Sequence, residues 1–162
     1  MIVRPASPAD HAAIRAVVSA AFKQPDEADL VDRLRADGDA LVELVAEDAG
    51  EVVGHILFSP MAADPQARIA ALAPLAVAPA RQRDGVGSAL SRAGLAACRA
   101  AGVEAVIVLG HPAYYPRFGF SAQAARGVQA PFSGPSFMAL ALTPGALETP
   151  RTVRYAPAFG IA

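Results

Sequence analysis

The residues best suited to chemistry lie near the middle of the chain, where an apolar run is followed by a basic, glycine-rich turn. The turn is Gln82-Arg83-Asp84-Gly85-Val86-Gly87, and Arg81 directly precedes it. Glycines let the backbone approach a ligand without interference from a Cβ atom, and the first turn of a following helix has unpaired N–H groups. A strand, a glycine turn and a helix in this order predict a site for an anion such as a phosphate.

Three kinds of phosphate site share this arrangement, and their spacing separates them. The nucleotide-triphosphatase loop requires a lysine after its last glycine, whereas Gly87 is followed by Ser88 and Ala89. The dinucleotide fingerprint requires a third glycine where Leu90 stands and an acid at the end of the next strand, whereas Glu104 comes at its start. The third pattern, Gln/Arg-x-x-Gly-x-Gly/Ala directly after a strand, is matched in full. An ordinary strand-to-helix turn fits the hexapeptide alone equally well.

The composition is typical of one folded domain, residues 1–162. Hydrophobic residues make up 54%, charged residues 18%, and the formal net charge is −1, which excludes disorder and disfavours nucleic acid as a partner. The longest apolar run is interrupted by prolines and is too short to span a membrane. Met1 leads directly into a strand pattern without a secretory signal, and a single cysteine fits a reducing compartment. We therefore expect a cytoplasmic protein that does not bind membranes.

The first third of the chain predicts a strand, two helices and a hairpin. A short strand over residues 1–5 is followed by helix starts at Ser7-Pro8 and at Pro25-Asp26, each with proline and acidic residues where helices begin. Two strand patterns flank Asp48-Ala49-Gly50, which predicts a tight antiparallel hairpin.

The middle of the chain alternates strands and a helix. Residues 59–66 contain two prolines and predict a loop, and residues 68–77 predict a long strand. Pro74 inside that strand predicts a bulge or a break in pairing, because proline has no N–H to donate. The helix after the glycine turn is expected to end at Gly102, and residues 103–109 form a β-branched run typical of a strand covered on both faces.

The last third is less regular. Residues 121–135 are rich in small residues, residues 137–142 predict a late strand, and the tail from about residue 143 is predicted to be mostly irregular. Strands in a meander followed by strands alternating with helices indicate an α/β fold with a mixed sheet.

An aromatic segment makes the interpretation more specific. It is Gly110-His111-Pro112-Ala113-Tyr114-Tyr115-Pro116-Arg117-Phe118-Gly119-Phe120, and Tyr115 precedes the Gly119-Phe120 pair by four residues. This segment, the glycine turn about 30 residues before it and the order of the elements resemble the GCN5-related N-acetyltransferase (GNAT) family. The segments at residues 54–60 and 137–140 resemble its YhbS-like branch of predicted acetyltransferases. The resemblance extends from Met1 to about Phe159.

The resemblance implies acetyl-coenzyme A as co-substrate and a mixed, mostly antiparallel sheet with helices on both faces and a splayed central strand pair. The pantetheine arm would lie along the strand that ends at Val77, bonded by the backbone of Leu75, Ala76 and Val77. The Val77 N–H would then donate to the thioester oxygen as a single oxyanion donor. Arg81 and Arg83 would neutralise part of the charge of the pyrophosphate. The N–H groups that would hold the pyrophosphate belong to Arg83, Asp84, Gly85, Val86, Gly87 and Ser88, and Gln82 is also expected to bind the cofactor.

The resemblance also implies direct transfer of the acetyl group to the amine of a small molecule or a protein. Tyr115 matches the family position of the general acid that protonates the departing thiolate. One of the adjacent tyrosines, Tyr114 or Tyr115, is expected to face away from the site, and an aromatic pair that only packs is the alternative. Glu27 and His111 are candidate acceptor-binding residues, although a solvated helix face and a turn explain them equally well.

Other polar residues are weaker candidates for a catalytic or ligand-binding role. No general base is evident, and Asp29 and Glu43 are two further candidate acids in the half of the chain where this family often builds its acceptor side. His55 is predicted to be a core or hydrogen-bonded histidine, and Cys98 to be a packing residue. No cysteine, histidine and acid cluster has the spacing of metal ligands, so no metal is predicted.

Two other functional classes remain open. The chain could be a non-catalytic regulatory domain that binds an acyl-coenzyme A, or a small assembly domain that uses the fold as a scaffold. A homodimer is compatible with the family. The sequence does not identify the acceptor.

Overall fold

The structure, a computed structural model, describes residues 1–161. Within these residues the helices are α1 (His11–Phe22), α2 (Asp26–Ala36) and α3 (Val86–Ala100). The strands are β1 (Ile2–Pro5), β2 (Val42–Asp48), β3 (Glu51–Asp64), β4 (Ile69–Val77), β5 (Ala105–Leu109), β6 (Val128–Gln129), β7 (Phe137–Ala141) and β8 (Arg151–Arg154).

The strands form one mixed sheet that is mostly antiparallel. Its main path runs β1-β2-β3-β4-β5-β7, and β8 pairs with both β3 and β6. Among the described residues, the parallel pairs are β4–β5 and β6–β8. Helices α1 and α2 cover one face and α3 covers the other, each with its own buried apolar cluster. The predicted α/β fold, with a mostly antiparallel sheet and helices on both faces, is confirmed.

The N-terminal elements follow the local signals in the sequence. The Ser7 backbone N–H and hydroxyl donate to Asp10 at 2.8 and 3.1 Å, which fixes the entry into α1. In the β2–β3 hairpin, Ala49 and Gly50 have φ values of 52° and 80°. Two consecutive left-handed residues produce the turn whose twist matches that of paired strands, so the predicted hairpin is confirmed.

One prediction about an irregular segment is wrong. The loop predicted at residues 59–66 is mostly strand, since β3 continues to Asp64 and pairs first with β4 and then with β8. Pro60 is tolerated because the pairing of β3 with β2 stops at Phe58 and its pairing with β8 starts at Ala62. Between these two residues β3 has a partner, β4, on one side only. The tail from residue 143 is mostly irregular, as predicted, and it also contains the four-residue strand β8, which joins the sheet.

The central strands β4 and β5 separate part-way along their length. They pair only over residues 69–71 of β4 and 105–107 of β5. Beyond this point β4 keeps its pairing with β3 as far as Val77, and a bulge sets Ala73 and Pro74 opposite a single residue of β3. The predicted disruption near Pro74 and the predicted splayed strand pair are both present. The gap between the two strands is the main opening in the sheet.

Candidate active site

A large cleft lies in the gap between β4 and β5. Its volume is about 1100 Å³, enough for a ligand of cofactor size. One end, here called the cofactor end, is formed by Gln82, Arg83, Gly85, Gly87 and Ser88. Another part of the lining, here called the acceptor end, is formed by Ala21, Phe22, Glu27 and Leu30 of α1 and α2 together with Leu109 and His111 at the end of β5. The splayed strands and the aromatic segment line the rest of the cleft.

The cofactor end presents a row of unpaired backbone donors. No hydrogen bond within residues 1–161 has its donor among the backbone N–H groups of residues 82–88. Arg83 and Gly85 have φ values of 69° and 84°, and residues 82–85 are exposed. Consecutive amides at the start of a helix form a binding site for an anion, and the helix dipole adds to the attraction. This end can hold a phosphate group.

The two arginines of this region have different surroundings. Arg83 lines the cleft, where its guanidinium can reach a bound anion. Arg81 donates to Asp48 at 2.8 Å and lies 3.4 Å from Asp84. Its charge is therefore already compensated, and the predicted contribution of Arg81 to pyrophosphate binding is not supported.

The backbone of β4 directs alternate peptide groups into the cleft. Ala78 N–H donates to Val53 at 2.8 Å, and the register then makes Ala76 and His55 the next hydrogen-bonded pair. The N–H and C=O of Val77 consequently point away from β3 and toward the gap. The Gln82 side chain, which donates to the Val77 carbonyl at 3.3 Å, lies on that side. The same alternation turns the peptide groups of Leu75 toward the gap.

The predicted cofactor-binding residues therefore divide into two groups. Ala76 is buried on the α1–α2 face, and its peptide groups face β3. The Val86 side chain is buried under α3, and Asp84 faces Arg81, so these residues can offer a ligand only their backbone amides. The predicted residues that line the cleft are Leu75, Val77, Gln82, Arg83, Gly85, Gly87 and Ser88.

Both adjacent tyrosines line the cleft, so the expectation that one of them faces away is wrong. Tyr115 is only 8% exposed, and a Cβ atom on Gly110 would collide with its ring. Burial, together with the proximity of Tyr114, raises the pKa of Tyr115 to about 12. The Tyr115 phenol therefore remains protonated across the neutral pH range and can act as a donor.

Tyr114 lies closer to the cofactor end. Its hydroxyl is 2.8 Å from the position that a Cβ atom on Gly87 would take. The Arg117 guanidinium lies 4.4 Å from the centre of the Tyr114 ring, and Arg117 Nε donates to the Tyr114 carbonyl at 2.8 Å. These contacts fix the ring over the glycine turn. They also explain why the residue at position 87 must be small.

The two predicted acceptor residues both line the cleft. Glu27 is half-buried and accepts a hydrogen bond from Gln24 at 3.0 Å, while no salt bridge within residues 1–161 involves it. His111 is exposed directly after β5. Asp29, the neighbouring acid considered as a base, forms an ion pair with Arg15 at 2.7 Å and does not line the cleft.

A buried polar network holds α2 on the sheet. His55 is completely buried, and its Nε2 lies 2.8 Å from Glu43, which also accepts from Arg35 at 2.7 Å. Burial by itself raises the pKa of Glu43, but hydrogen bonds from His55 and Arg35 outweigh it and lower the value to about 2. The predicted hydrogen-bonded role of His55 is confirmed, and Glu43 anchors α2 rather than lining the cleft.

Other candidate chemistry is not supported by the described part of the chain. Cys98 is buried, and burial raises its pKa to about 12, which makes it unreactive as a nucleophile. Within residues 1–161, no three histidine, cysteine or acidic side chains are grouped as metal ligands would be. No helix in the same range has both the length and the apolar character that crossing a bilayer requires.

Several cleft residues were not predicted from the sequence. Leu109 is an exposed apolar residue of the acceptor end, and Tyr114 and Arg117 also line the cleft. Gly110 also lines the cleft, and for this residue the sequence does contain a signal. A glycine between a strand and an aromatic segment indicates that another group packs closely against the backbone. For the others, only the placement of distant elements shows their role.

Comparison with known proteins gives consistent matches. The model of the acetyltransferase (GNAT) family matches residues 11–120. The uncharacterized N-acetyltransferase YjhQ of Escherichia coli K12 is 42% identical over 134 residues, 78% of this chain and 73% of its own length. The uncharacterized N-acetyltransferase YhbS of the same strain is 38% identical over 122 residues, 74% of this chain and 73% of its own length.

Solved structures match over almost the whole chain. A complex of E. coli YhbS with coenzyme A superposes with a TM-score of 0.91 at 33% identity, covering 99% of this chain and 92% of that one. A GNAT acetyltransferase from Brucella melitensis in complex with acetyl-coenzyme A superposes with a TM-score of 0.83 at 37% identity, covering 98% and 97%. The family match and these identities together show that the chain belongs to the GNAT acetyltransferase family.

Proposed function

We propose that this protein is an N-acetyltransferase that transfers the acetyl group of acetyl-coenzyme A directly to an amine. The observation that carries the proposal is the single cleft between β4 and β5, which joins a row of free amides, an inward-facing strand backbone and a buried phenol. Relatives of the same fold form complexes with coenzyme A and with acetyl-coenzyme A.

The cofactor end binds the pyrophosphate. The amides of residues 82–88 donate to its oxygens, and Arg83 adds a charge-assisted contact. Gly87 allows the phosphate to approach the backbone beneath the Tyr114 hydroxyl. This arrangement needs neither a lysine nor a metal ion to hold the phosphates.

The pantetheine arm extends the sheet along β4. The peptide groups of Leu75 and Val77 that face the gap have no strand partner there, so they can pair with the amide groups of the arm. The Val77 N–H then donates to the thioester oxygen, where negative charge develops as the amine attacks.

In the proposed reaction the acetyl group passes from the sulfur of coenzyme A to the nitrogen of the amine. A neutral amine attacks the thioester carbonyl, the C–N bond forms, the C–S bond breaks, and the nitrogen loses the proton that the sulfur gains. Tyr115 stabilises the departing sulfur by donating its phenolic proton and recovers a proton from the nitrogen, directly or through water. Because the pKa of Tyr115, about 12, lies well above neutral pH, the phenol is again protonated at the start of every turnover.

The acceptor amine enters from the side of α1 and α2. Glu27 and His111 contact it there, since both line the acceptor end of the cleft. We place the reaction in the cytoplasm, because the unpaired Cys98 fits a reducing compartment.

Two measurements test this function. Calorimetric titration should show one binding site for acetyl-coenzyme A, and S-acetylpantetheine, which lacks the diphosphate and the nucleotide, should bind at least roughly 100-fold more weakly. Equal affinities for the two thioesters would contradict the role of the cofactor end. Release of free coenzyme A should then depend on an added amine, with the acetylated amine detected by mass spectrometry. Binding without transfer to any amine would instead support a regulatory domain.

A further inference from the structure

We infer that the acceptor is a small primary monoamine with an apolar body, and that its ammonium group binds at Glu27. The inference rests on the proposed acetyl transfer and concerns the other half of the same cleft. It follows from the charge at the acceptor end, from the apolar residues around it and from the scarcity of further negative charge.

Glu27 is an uncompensated carboxylate in the cleft. Gln24 donates to it at 3.0 Å, but no cationic side chain within residues 1–161 lies within salt-bridge distance. Two acids near α2 are already paired, Asp29 with Arg15 at 2.7 Å and Glu43 with Arg35 at 2.7 Å, and the exposed Asp26 does not line the cleft. A half-buried carboxylate that keeps free acceptor capacity beside a reaction cleft is suited to binding a cation.

The surface next to Glu27 is apolar. Of the four residues that α1 and α2 contribute to the cleft, the other three are Ala21, Phe22 and Leu30. Phe22 is 38% exposed, and Leu109, at the end of β5, is 47% exposed. Single exposed apolar residues are common, but two that line one cleft together with Ala21 and Leu30 form a surface for an apolar ligand.

The cleft offers few negatively charged side chains that could bind a polycation. Besides Glu27, the charged side chains that line the cleft are Arg83 and Arg117, and these repel a second ammonium group. A smaller groove, which Glu27 also lines, contains Asp26 and Asp29, but Arg33 lines it as well and Asp29 is already paired, so Asp26 adds one further negative charge outside the cleft. The charge distribution favours one ammonium group over several.

The bound ammonium nitrogen loses two protons in all, one before it attacks the thioester and one, which the sulfur gains, as the amide forms. The amine binds Glu27 as the ammonium ion and must lose one proton before its nitrogen can attack the thioester. That proton passes to solvent, so the overall reaction converts an alkylammonium ion and acetyl-coenzyme A into an N-alkylacetamide, coenzyme A and one proton. Because Glu27 is only half-buried, an ammonium ion bound to it can lose this proton to water.

The test is an acceptor panel with the full-length protein, read out as release of coenzyme A and confirmed by mass spectrometry. The panel contains 2-phenylethylamine and hexylamine, the polar monoamine ethanolamine, the polyamine spermidine, and a short peptide with a free apolar N-terminus. The inference predicts kcat/KM values for the two apolar monoamines at least roughly tenfold above those for the other three. A preference for spermidine, ethanolamine or the peptide overturns it.

Variants locate the ammonium and the apolar contacts. Glu27→Gln should raise the KM for 2-phenylethylamine roughly fivefold to tenfold with little change in kcat or in acetyl-coenzyme A affinity. Leu109→Ser should raise the KM for 2-phenylethylamine severalfold without affecting ethanolamine. Asp26→Asn is the matched control, because Asp26 is exposed, precedes Glu27 and lines only the side groove. An unchanged KM in Glu27→Gln, or an equal increase in Asp26→Asn, contradicts the inference.

The outcome separates this inference from the proposed function. If acetyl-coenzyme A binds and some amine other than an apolar monoamine is acetylated best, the enzyme activity stands and the acceptor class is wrong. If acetyl-coenzyme A binds but no amine in the panel or in a broader set is acetylated, the proposed function and this inference fail together.

Discussion

The two ends of the cleft are built from different parts of the molecule. The cofactor end consists mainly of backbone amides from one continuous segment, residues 82–88, held between a strand and a helix. The acceptor end consists of side chains from α1, α2 and the end of β5, which are far apart in the sequence. A backbone site tolerates changes in side chains but not in local geometry, whereas a side-chain site changes specificity with single substitutions. In the function that we propose, the first end binds the co-substrate and the second selects the acceptor.

The largest effect is expected from Gly87→Ala. Its Cβ atom would lie 2.8 Å from the Tyr114 hydroxyl and occupy the space where the phosphate approaches. We expect the acetyl-coenzyme A Kd to rise roughly 100-fold, about 2.7 kcal/mol, in calorimetric titration. Adding Tyr114→Phe removes the collision with the hydroxyl. If the double variant recovers wild-type affinity, the backbone at position 87 is not a ligand contact.

The next effect concerns chemistry rather than binding. Tyr115→Phe should lower kcat roughly 100-fold, while the acetyl-coenzyme A Kd changes less than about twofold, because the phenol contacts the leaving sulfur and not the phosphates. Steady-state kinetics and calorimetry measure the two quantities. Tyr114→Phe is the matched control in the same cleft and should reduce kcat far less. An unaltered turnover in Tyr115→Phe rules out its proposed role.

A smaller effect is expected when Tyr115 is displaced without removing its hydroxyl. A Cβ atom on Gly110 would collide with the Tyr115 ring, so Gly110→Ala should lower kcat roughly tenfold and the free energy of unfolding by about 1–3 kcal/mol. Gly127→Ala is the control, since the nearest atom to its Cβ would be 3.8 Å away. Equal kinetics in the two variants would show that the orientation of Tyr115 is not important.

The smallest kinetic effect should come from Glu43→Gln, which loosens α2 and the acceptor end. We expect the amine KM to rise a few-fold and the unfolding free energy to fall by roughly 1–3 kcal/mol, with acetyl-coenzyme A affinity unchanged. The folded-state pKa of Glu43, about 2, lies below its ordinary value of 4.5. Its contribution to stability is therefore complete above pH 4.5 and is lost as the pH falls toward 2.

Urea unfolding from pH 6 to pH 2 measures this contribution. The stability curve of Glu43→Gln should be flatter than that of the wild type between pH 4.5 and pH 2. Asp32→Asn, at an acid whose side chain is 51% exposed, should leave the curve almost unchanged. Parallel curves for Glu43→Gln and the wild type would show that the network does not stabilise α2.

The sequence predicts the cofactor end well because its signals are local. The glycines, the preceding strand and the helix start are adjacent in the chain, and their geometry follows from turn and helix rules. The hairpin at Ala49–Gly50 is predicted for the same reason. The extension of β3 through Pro60 is not, since it depends on which strands end beside that residue.

The acceptor end is predicted poorly because it forms only when distant elements meet. Glu27 and His111 are found by resemblance to a family, whereas Phe22 and Leu109 have no local pattern that distinguishes them from core residues. The orientation of both tyrosines into the cleft depends on Gly110 and Gly87, which leave room for the ring of Tyr115 and the hydroxyl of Tyr114. These contacts are between elements, and residue spacing does not reveal them.

The most direct test of the account is a crystal structure of this protein with acetyl-coenzyme A bound. The account predicts that the diphosphate accepts hydrogen bonds from backbone N–H groups within residues 82–88 and that the thioester oxygen lies within hydrogen-bond distance of the Val77 N–H. The sulfur should lie beside the Tyr115 hydroxyl. A thioester bound outside the gap between β4 and β5, or a diphosphate without contacts to those amides, would contradict the central claim.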